Sequence, residues 1–106
     1  MQVTDVCVAD TPVVTLSGPL TFDSRKTLRA IIEAELAQGH RDFIVDMRQV
    51  TFVDSSGLGA LVACLSSIRK QGGTMQLQHV PKLVYELMEM TKLSQFFGVS
   101  EATLAV

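Results

Sequence analysis

The stretch Val50-Thr51-Phe52-Val53-Asp54-Ser55-Ser56-Gly57-Leu58-Gly59 constrains this chain more than any other. It runs from an apolar strand into an amphipathic helix. Upstream, Phe43-Ile44-Val45-Asp46-Met47 is a short apolar run of the kind that fills a buried strand. Downstream, Leu58, Leu61, Val62, Leu65 and Ile68 recur at helical spacing and mark a core-facing stripe. The Asp-Ser-Ser-Gly between them is therefore the mouth of a strand-to-helix connection, where solvent reaches it.

The first backbone N–H groups of a helix have no intrahelical partners, and the helix dipole adds partial positive charge there. Asp54, Ser55 or Ser56 can each cap that end. Gly57 and Gly59 cost helix propensity, roughly 1 kcal/mol each, and are expected to leave the first turn open to close approach by another protein.

Taken in order, Val3 to Ala9 and Pro12 to Leu20 read as two strands around a turn at Asp10-Thr11-Pro12, paired as a hairpin. Val14 and Leu16 are predicted to face inward, and Gly18-Pro19 to interrupt the pairing. Thr21 or Asp23 starts a helix reaching about Gln38, with Leu28, Ile31, Ile32 and Leu36 on its apolar face. A buried strand near Asp42 to Met47 leads through the central loop to a second helix ending near Gln71. Thr74 to His79 is a strand that buries Met75 and Leu77. Pro81 opens a third helix in which Leu83, Val84, Leu87 and Met88 are expected to pack inward. Leu93, Phe96 and Phe97 close the core, Gly98-Val99 allows a brief strand, and Ser100 caps a short terminal helix containing Leu104. The order is β-β-α-β-α-β-α-(β)-α. Its strand–helix–strand units favour parallel pairing and its opening hairpin is antiparallel, so the fold class is α/β with a mixed sheet.

With 106 residues and an apolar fraction of 47%, the chain reads as one domain with its own core. A net charge of -2 gives no footprint for direct nucleic-acid binding. Arg25, Lys26 and Arg29 cluster, but on a solvated helix face. No run approaches the ~20 apolar residues of a membrane span, and the amino terminus lacks a signal-peptide plan, so a cytoplasmic location without membrane insertion is expected. Cys7 and Cys64 are isolated and without histidine at ligand spacing; both are expected to be buried or half-buried, with no disulfide framework, metal site or cofactor indicated.

Catalysis has weak support. A serine nucleophile needs a nearby base, and His40 and His79 read as solvated loop histidines at the ends of a helix and a strand. There is no phosphate-binding glycine loop. Asp46 and Asp54 are expected to satisfy loop N–H groups and to orient the second helix. The serines are better substrates than catalysts. A phosphate adds about -1.5 to -2 charges, and a helix N-terminus stabilises an anion by roughly 0.3–2 kcal/mol. Asp54 repels it by about 3 kcal/mol per charge pair at ~6 Å and an effective dielectric near 20. Effects of similar size oppose, so phosphorylation is predicted to refold little and to act on a partner that touches the turn.

Phe52 to Gly59, with Asp46 before it, Gly72-Gly73 after the helix and Gly18-Pro19-Leu20 earlier, resembles the STAS domain of bacterial anti-sigma-factor antagonists. The resemblance covers nearly the whole chain and implies a single STAS domain over residues 1–106. In that family the serine directly after the Asp is phosphorylated by a partner that is both anti-sigma factor and serine kinase; by position this is Ser55. The unphosphorylated form binds that partner, and a phosphatase resets the phosphorylated one. Carried over, Asp54 and Ser56 shape the loop, and Gly57, Leu58 and Gly59 with Thr21, Phe22 and Asp23 form the docking surface. Many such antagonists have an Asp directly after Gly-x-Leu, where this chain has Thr21, and the end after Phe97 looks trimmed. The resemblance thus also admits a phosphorylation-independent STAS subunit of a transport or sensory complex. Exposed Leu58 and Phe22 are expected to serve a partner or a self interface, in a monomer or weak dimer.

Overall fold

Strands rich in β-branched residues form the opening hairpin. The computed structural model describes residues 2–104; Met1, Ala105 and Val106 lie outside that range. β1 (Gln2–Val8) pairs antiparallel with β2 (Thr11–Leu20) around a turn at Ala9 and Asp10. Both turn residues have positive φ, 50° and 67°, the backbone hand that lets a two-residue turn follow strand twist. The turn precedes the position expected from Pro12, because Thr11 and Pro12 already pair with Val8 and Cys7.

β2 buries Val14, Leu16 and Leu20 as its alternation predicts. The described hairpin ladder ends at Gln2–Ser17, just before Gly18-Pro19, but the strand itself does not stop there. β2 continues beside β3 (Asp42–Val53) as far as Leu20, with a register shift between Gly18 and Pro19. β3 is parallel to β2, and β4 (Thr74–Gln78) is parallel to β3, giving the sheet order β1-β2-β3-β4. The expected mixed sheet of an α/β fold is what forms.

β3 is much longer than the Asp42 to Met47 strand read from the sequence. Phe43, Val45 and Met47 are buried at a spacing of two, and then Val50 and Val53 at a spacing of three. The change of period comes from two irregularities in the pairing with β2, each adding a residue on the β3 side. Asp46 supports the first: its Oδ1 accepts the Arg48 N–H at 2.9 Å. The carboxylate satisfies a backbone donor as expected, inside a bulged strand rather than a loop.

The helices complete the core. A 3-10 turn (Phe22–Ser24) leads into α1 (Arg25–Ala37), which buries Leu28, Ile32 and Leu36 with Ile31 half-buried. α2 (Ser55–Lys70) buries Leu58, Leu61, Cys64, Leu65 and Ile68 against Val14, Leu16, Phe43, Val45 and Leu77. Each large apolar side chain so buried contributes about 1.5–3 kcal/mol. The opposite sheet face, with Val13, Thr15, Ile44 and Asp46, remains half-exposed.

α3 (Lys82–Met90) buries Val84 and Met88, one turn apart, and half-buries Leu87. Leu83 is 76% exposed, contrary to its expected inward packing, because it precedes the Val84–Met88 stripe by about 100° of helical rotation. With Phe52 and Met90 it lines an open groove between α3 and the end of β3. No strand forms at Gly98-Val99. After α4 (Ser94–Phe97), Gly98 turns left-handed and the Val99 N–H closes on Ser94 O at 2.9 Å. Ser100 opens a 3-10 turn (Glu101–Thr103) rather than an α-helix, and Leu104 follows it to make a parallel bridge with Val80.

Candidate functional site

Of the three candidate caps for α2, the backbone selects Asp54. Its extended conformation (φ -99°, ψ 179°) directs the side chain over the helix end, where Oδ1 accepts the Gly57 N–H at 2.7 Å. Ser55 thereby becomes the first helical residue and is exposed, while Ser56 is half-buried. The exposed hydroxyl therefore stands beside an ordered carboxylate at the positive end of a 16-residue helix.

The same helix end is fastened to β2. The Asp54 N–H donates to Leu20 O at 3.3 Å, and Gly57 lies so close to Leu20 that an added Cβ would fall 2.0 Å from that carbonyl oxygen. Gly57 is buried and faces β2, so its missing side chain serves internal packing rather than an approaching protein. Leu58, placed by the sequence both on the core-facing stripe and on the exposed docking surface, is 4% exposed and belongs to the core, since it starts the apolar stripe of α2. Gly59 faces open space.

Because Leu20 is bound to the first turn of α2, the segment after it lies alongside. The Thr21 N–H donates to Ser24 Oγ at 3.2 Å, and Ser24 Oγ donates to Pro19 O at 3.2 Å. These bonds hold the 3-10 turn that presents Phe22 and Asp23 outward; Phe22 is 64% exposed. The Arg25 guanidinium lies 5.7 Å from the centre of its ring. The outer surface thus carries Phe22, Asp23, Ser55 and Gly59, with Thr21, Asp54 and Ser56 partly accessible, while Gly57 and Leu58 form its support. Beside it, α1 and α2 enclose a groove of about 560 Å³ with Arg25, Lys26 and Arg29 on its rim and Ile32, Ala60 and Cys64 below. These cations are exposed as expected, and Arg29 Nε pairs with Glu33 Oε1 at 2.9 Å.

Neither histidine serves the serines, and neither is simply solvated. His79 is half-buried with Nδ1 3.0 Å from Arg48 Nη2. His40 is half-buried with Nδ1 2.6 Å from Glu35 Oε2. Cys7 is exposed, not buried, because β1 is an edge strand, and its Sγ lies 3.9 Å from the same Glu35 oxygen. Cys64 is buried, and desolvation pushes its thiol up to about 11. The grouping of Cys7, Glu35 and His40 has no local signature in the sequence; only pairing of distant elements creates it.

The STAS domain family model matches residues 2–105. The anti-sigma-B factor antagonist of Bacillus subtilis is 28% identical over 87 residues, covering 82% of this chain and 79% of that relative. The phosphorylated form of the Bacillus cell fate determinant SpoIIAA has a TM-score of 0.69 at 22% identity, covering 89% of this chain and 85% of that one. A sulfate transporter family protein from Wolinella succinogenes has a TM-score of 0.77 at 21% identity, covering 94% and 80%. The two structural likenesses are likenesses of fold. No helix among the described residues is long and apolar enough to cross a membrane.

Proposed function

The chain belongs to the STAS domain family, and from that premise we propose that it is an anti-sigma-factor antagonist whose binding is switched by phosphorylation of Ser55. One observation carries the reading: the Ser55 hydroxyl is exposed at the first position of α2 beside the ordered Asp54 and the projecting Phe22 turn. Unphosphorylated, the single domain docks an anti-sigma factor that is also a serine kinase, through Phe22, Asp23 and the α2 N-terminus. The partner brings the ATP and its Mg²⁺. A phosphatase restores the binding form. The domain works in the cytoplasm, as a monomer or weak dimer, and has no catalytic step of its own.

The physical basis of the switch is the divided use of the helix end. Asp54 already holds the Gly57 N–H, so a phosphate on Ser55 meets a partly neutralised dipole and an adjacent negative charge. Its net effect on the fold is small. Its effect on a docked partner is large, because a dianion would enter a desolvated interface. Two likenesses support this reading: the Bacillus subtilis relative is named an anti-sigma-B factor antagonist, and SpoIIAA, which shares the fold, has a phosphorylated form.

Intact mass and fragmentation of protein purified from its native cells test it, beside the Ser55→Ala variant. Phosphate on Ser55 that is absent from the variant is the expected result; a chain unmodified under growth and stress alike would overturn it. A second reading has its own support in the Wolinella succinogenes likeness and in the uncharged Thr21: a phosphorylation-independent subunit of a transport or sensory complex. It requires that Ser55→Asp bind the partner as well as the unaltered chain does.

A further inference from the structure

The end of α1 closes on an unusual pair. The Gly39 N–H donates to Leu36 O at 3.0 Å and the His40 N–H to Glu35 O at 3.1 Å, with Gly39 at φ +95°. This paired closure sets the residue after the glycine against the third-last helical residue, and an apolar contact commonly fills that position. α3 follows the rule: the Leu93 N–H closes on Met88 O at 2.8 Å, and both side chains are apolar. In α1 the same two places hold His40 and Glu35. Glu35 lies on the core-facing side of the helix between Ile32 and Leu36 and is only 7% exposed. A carboxylate buried to that extent requires compensation.

A third group converges on it. Cys7 lies opposite Pro12 in the hairpin, which puts it on the same sheet face as Val14 and Leu16 and turns it toward α1. One donor atom from each of Cys7, Glu35 and His40 lies within 4.8 Å of the other two. A thiol, a carboxylate and an imidazole thus meet from an edge strand, a helix and the residue after its closure.

We propose that Cys7, Glu35 and His40 form a binding site for a divalent transition-metal ion of the zinc class. The donor set decides the class: Mg²⁺ and Ca²⁺ take oxygen ligands, whereas Zn²⁺ binds thiolate, imidazole and carboxylate together. Metal–ligand lengths of about 2.0–2.3 Å in a tetrahedron put donors about 3.2–3.7 Å apart. The Cys7–Glu35 separation of 3.9 Å needs to close slightly, and the His40–Glu35 separation of 2.6 Å needs to open as the ion replaces their hydrogen bond. Side-chain rotation has to supply both changes and to bring Cys7 and His40, now within 4.8 Å, into the same range. Cys7 gives up its thiol proton to solvent on binding. The exposed position of Cys7 leaves the fourth coordination place to water.

The site lies at the far end of α1 from the Phe22 turn, about 20 Å along a 13-residue helix, so it is separate from the Ser55 surface. Its effect is to tie the edge strand β1 to α1. The full chain, reduced and metal-free, is titrated with Co²⁺ and followed by its thiolate charge-transfer absorption. One Co²⁺ per chain with a thiolate band is expected, abolished by Cys7→Ser and unchanged by Cys64→Ser. His40→Gln weakens binding by more than about tenfold, since even loss of a ligand's outer partner commonly costs that much. Zn²⁺ raises the melting temperature of the unaltered chain but not of Cys7→Ser. Absence of a thiolate band at millimolar Co²⁺, or a band that survives Cys7→Ser, would overturn the site. Cys7 is exposed, so its serine variant keeps the test valid even if His40→Gln fails to fold.

Discussion

Two glycines two residues apart in α2 should respond to the same substitution with opposite signs. A Cβ at Gly57 would lie 2.0 Å from Leu20 O and 2.6 Å from Leu20 C, both backbone atoms that cannot rotate away. Relief to even a tight 3.0 Å contact moves the helix end or β2 by about 1 Å. That shift strains the Asp54 N–H bond to Leu20 O at 3.3 Å and the cap bond of 2.7 Å. Overpacking costs about 1–3 kcal/mol and a lost cap about 1 kcal/mol, offset by about 1 kcal/mol from alanine's helix propensity. Gly57→Ala is therefore expected to destabilise by about 2 kcal/mol. Gly59 has open space around its Cβ direction, so Gly59→Ala gains up to about 1 kcal/mol. Equilibrium urea unfolding measures both, with midpoints expected roughly 1–3 M apart for a domain of this size. A Gly57→Ala midpoint equal to or above that of the unaltered chain would refute the packing argument.

The other consequences are simpler. Asp54→Ala leaves the Gly57 N–H without its acceptor and should cost about 1 kcal/mol in urea unfolding, whereas Ser55→Ala should change stability by less than about 0.5 kcal/mol. Ser55→Asp should leave the circular dichroism spectrum and unfolding midpoint nearly unchanged while lowering partner affinity at least tenfold in calorimetry; equal affinity would support the phosphorylation-independent reading. The buried Cys64 thiol titrates near 11 rather than at the ordinary 9.0 because burial disfavours the thiolate. Folding therefore favours the protonated form, and that contribution is intact below pH 9 and is lost as pH rises through 11. Comparing the unaltered chain with Cys64→Ala at pH 8 and pH 11 should show about 2 kcal/mol more alkaline loss in the unaltered chain; parallel pH dependences would remove Cys64 as the cause.

Much of the site was legible because it depends on neighbouring residues. Asp54, Ser55 and the apolar stripe from Leu58 lie within a few helical turns, so one periodicity places the cap, the exposed hydroxyl and the buried face together. Yet the sequence left three caps possible, and the backbone direction at Asp54 chose among them. It also suggested exposure for Leu58, which the stripe itself draws into the core. Gly57 looked like an opening for a partner; its reason is Leu20, a residue of another strand.

Local chemistry by itself determined the first three helices, the hairpin and the exposed serine, because hydrophobic period and capping act over a few residues, and the order of the elements implied the mixed sheet. Tertiary structure decided where β3 ends, since Met47, Val50 and Val53 follow a spacing of three that a strand produces only with bulges against β2. It also decided that Leu83 faces outward and that Cys7 meets Glu35, 28 positions away, and with it His40. Period reports which face of an element is buried. Only the register between elements determines what each face is buried against.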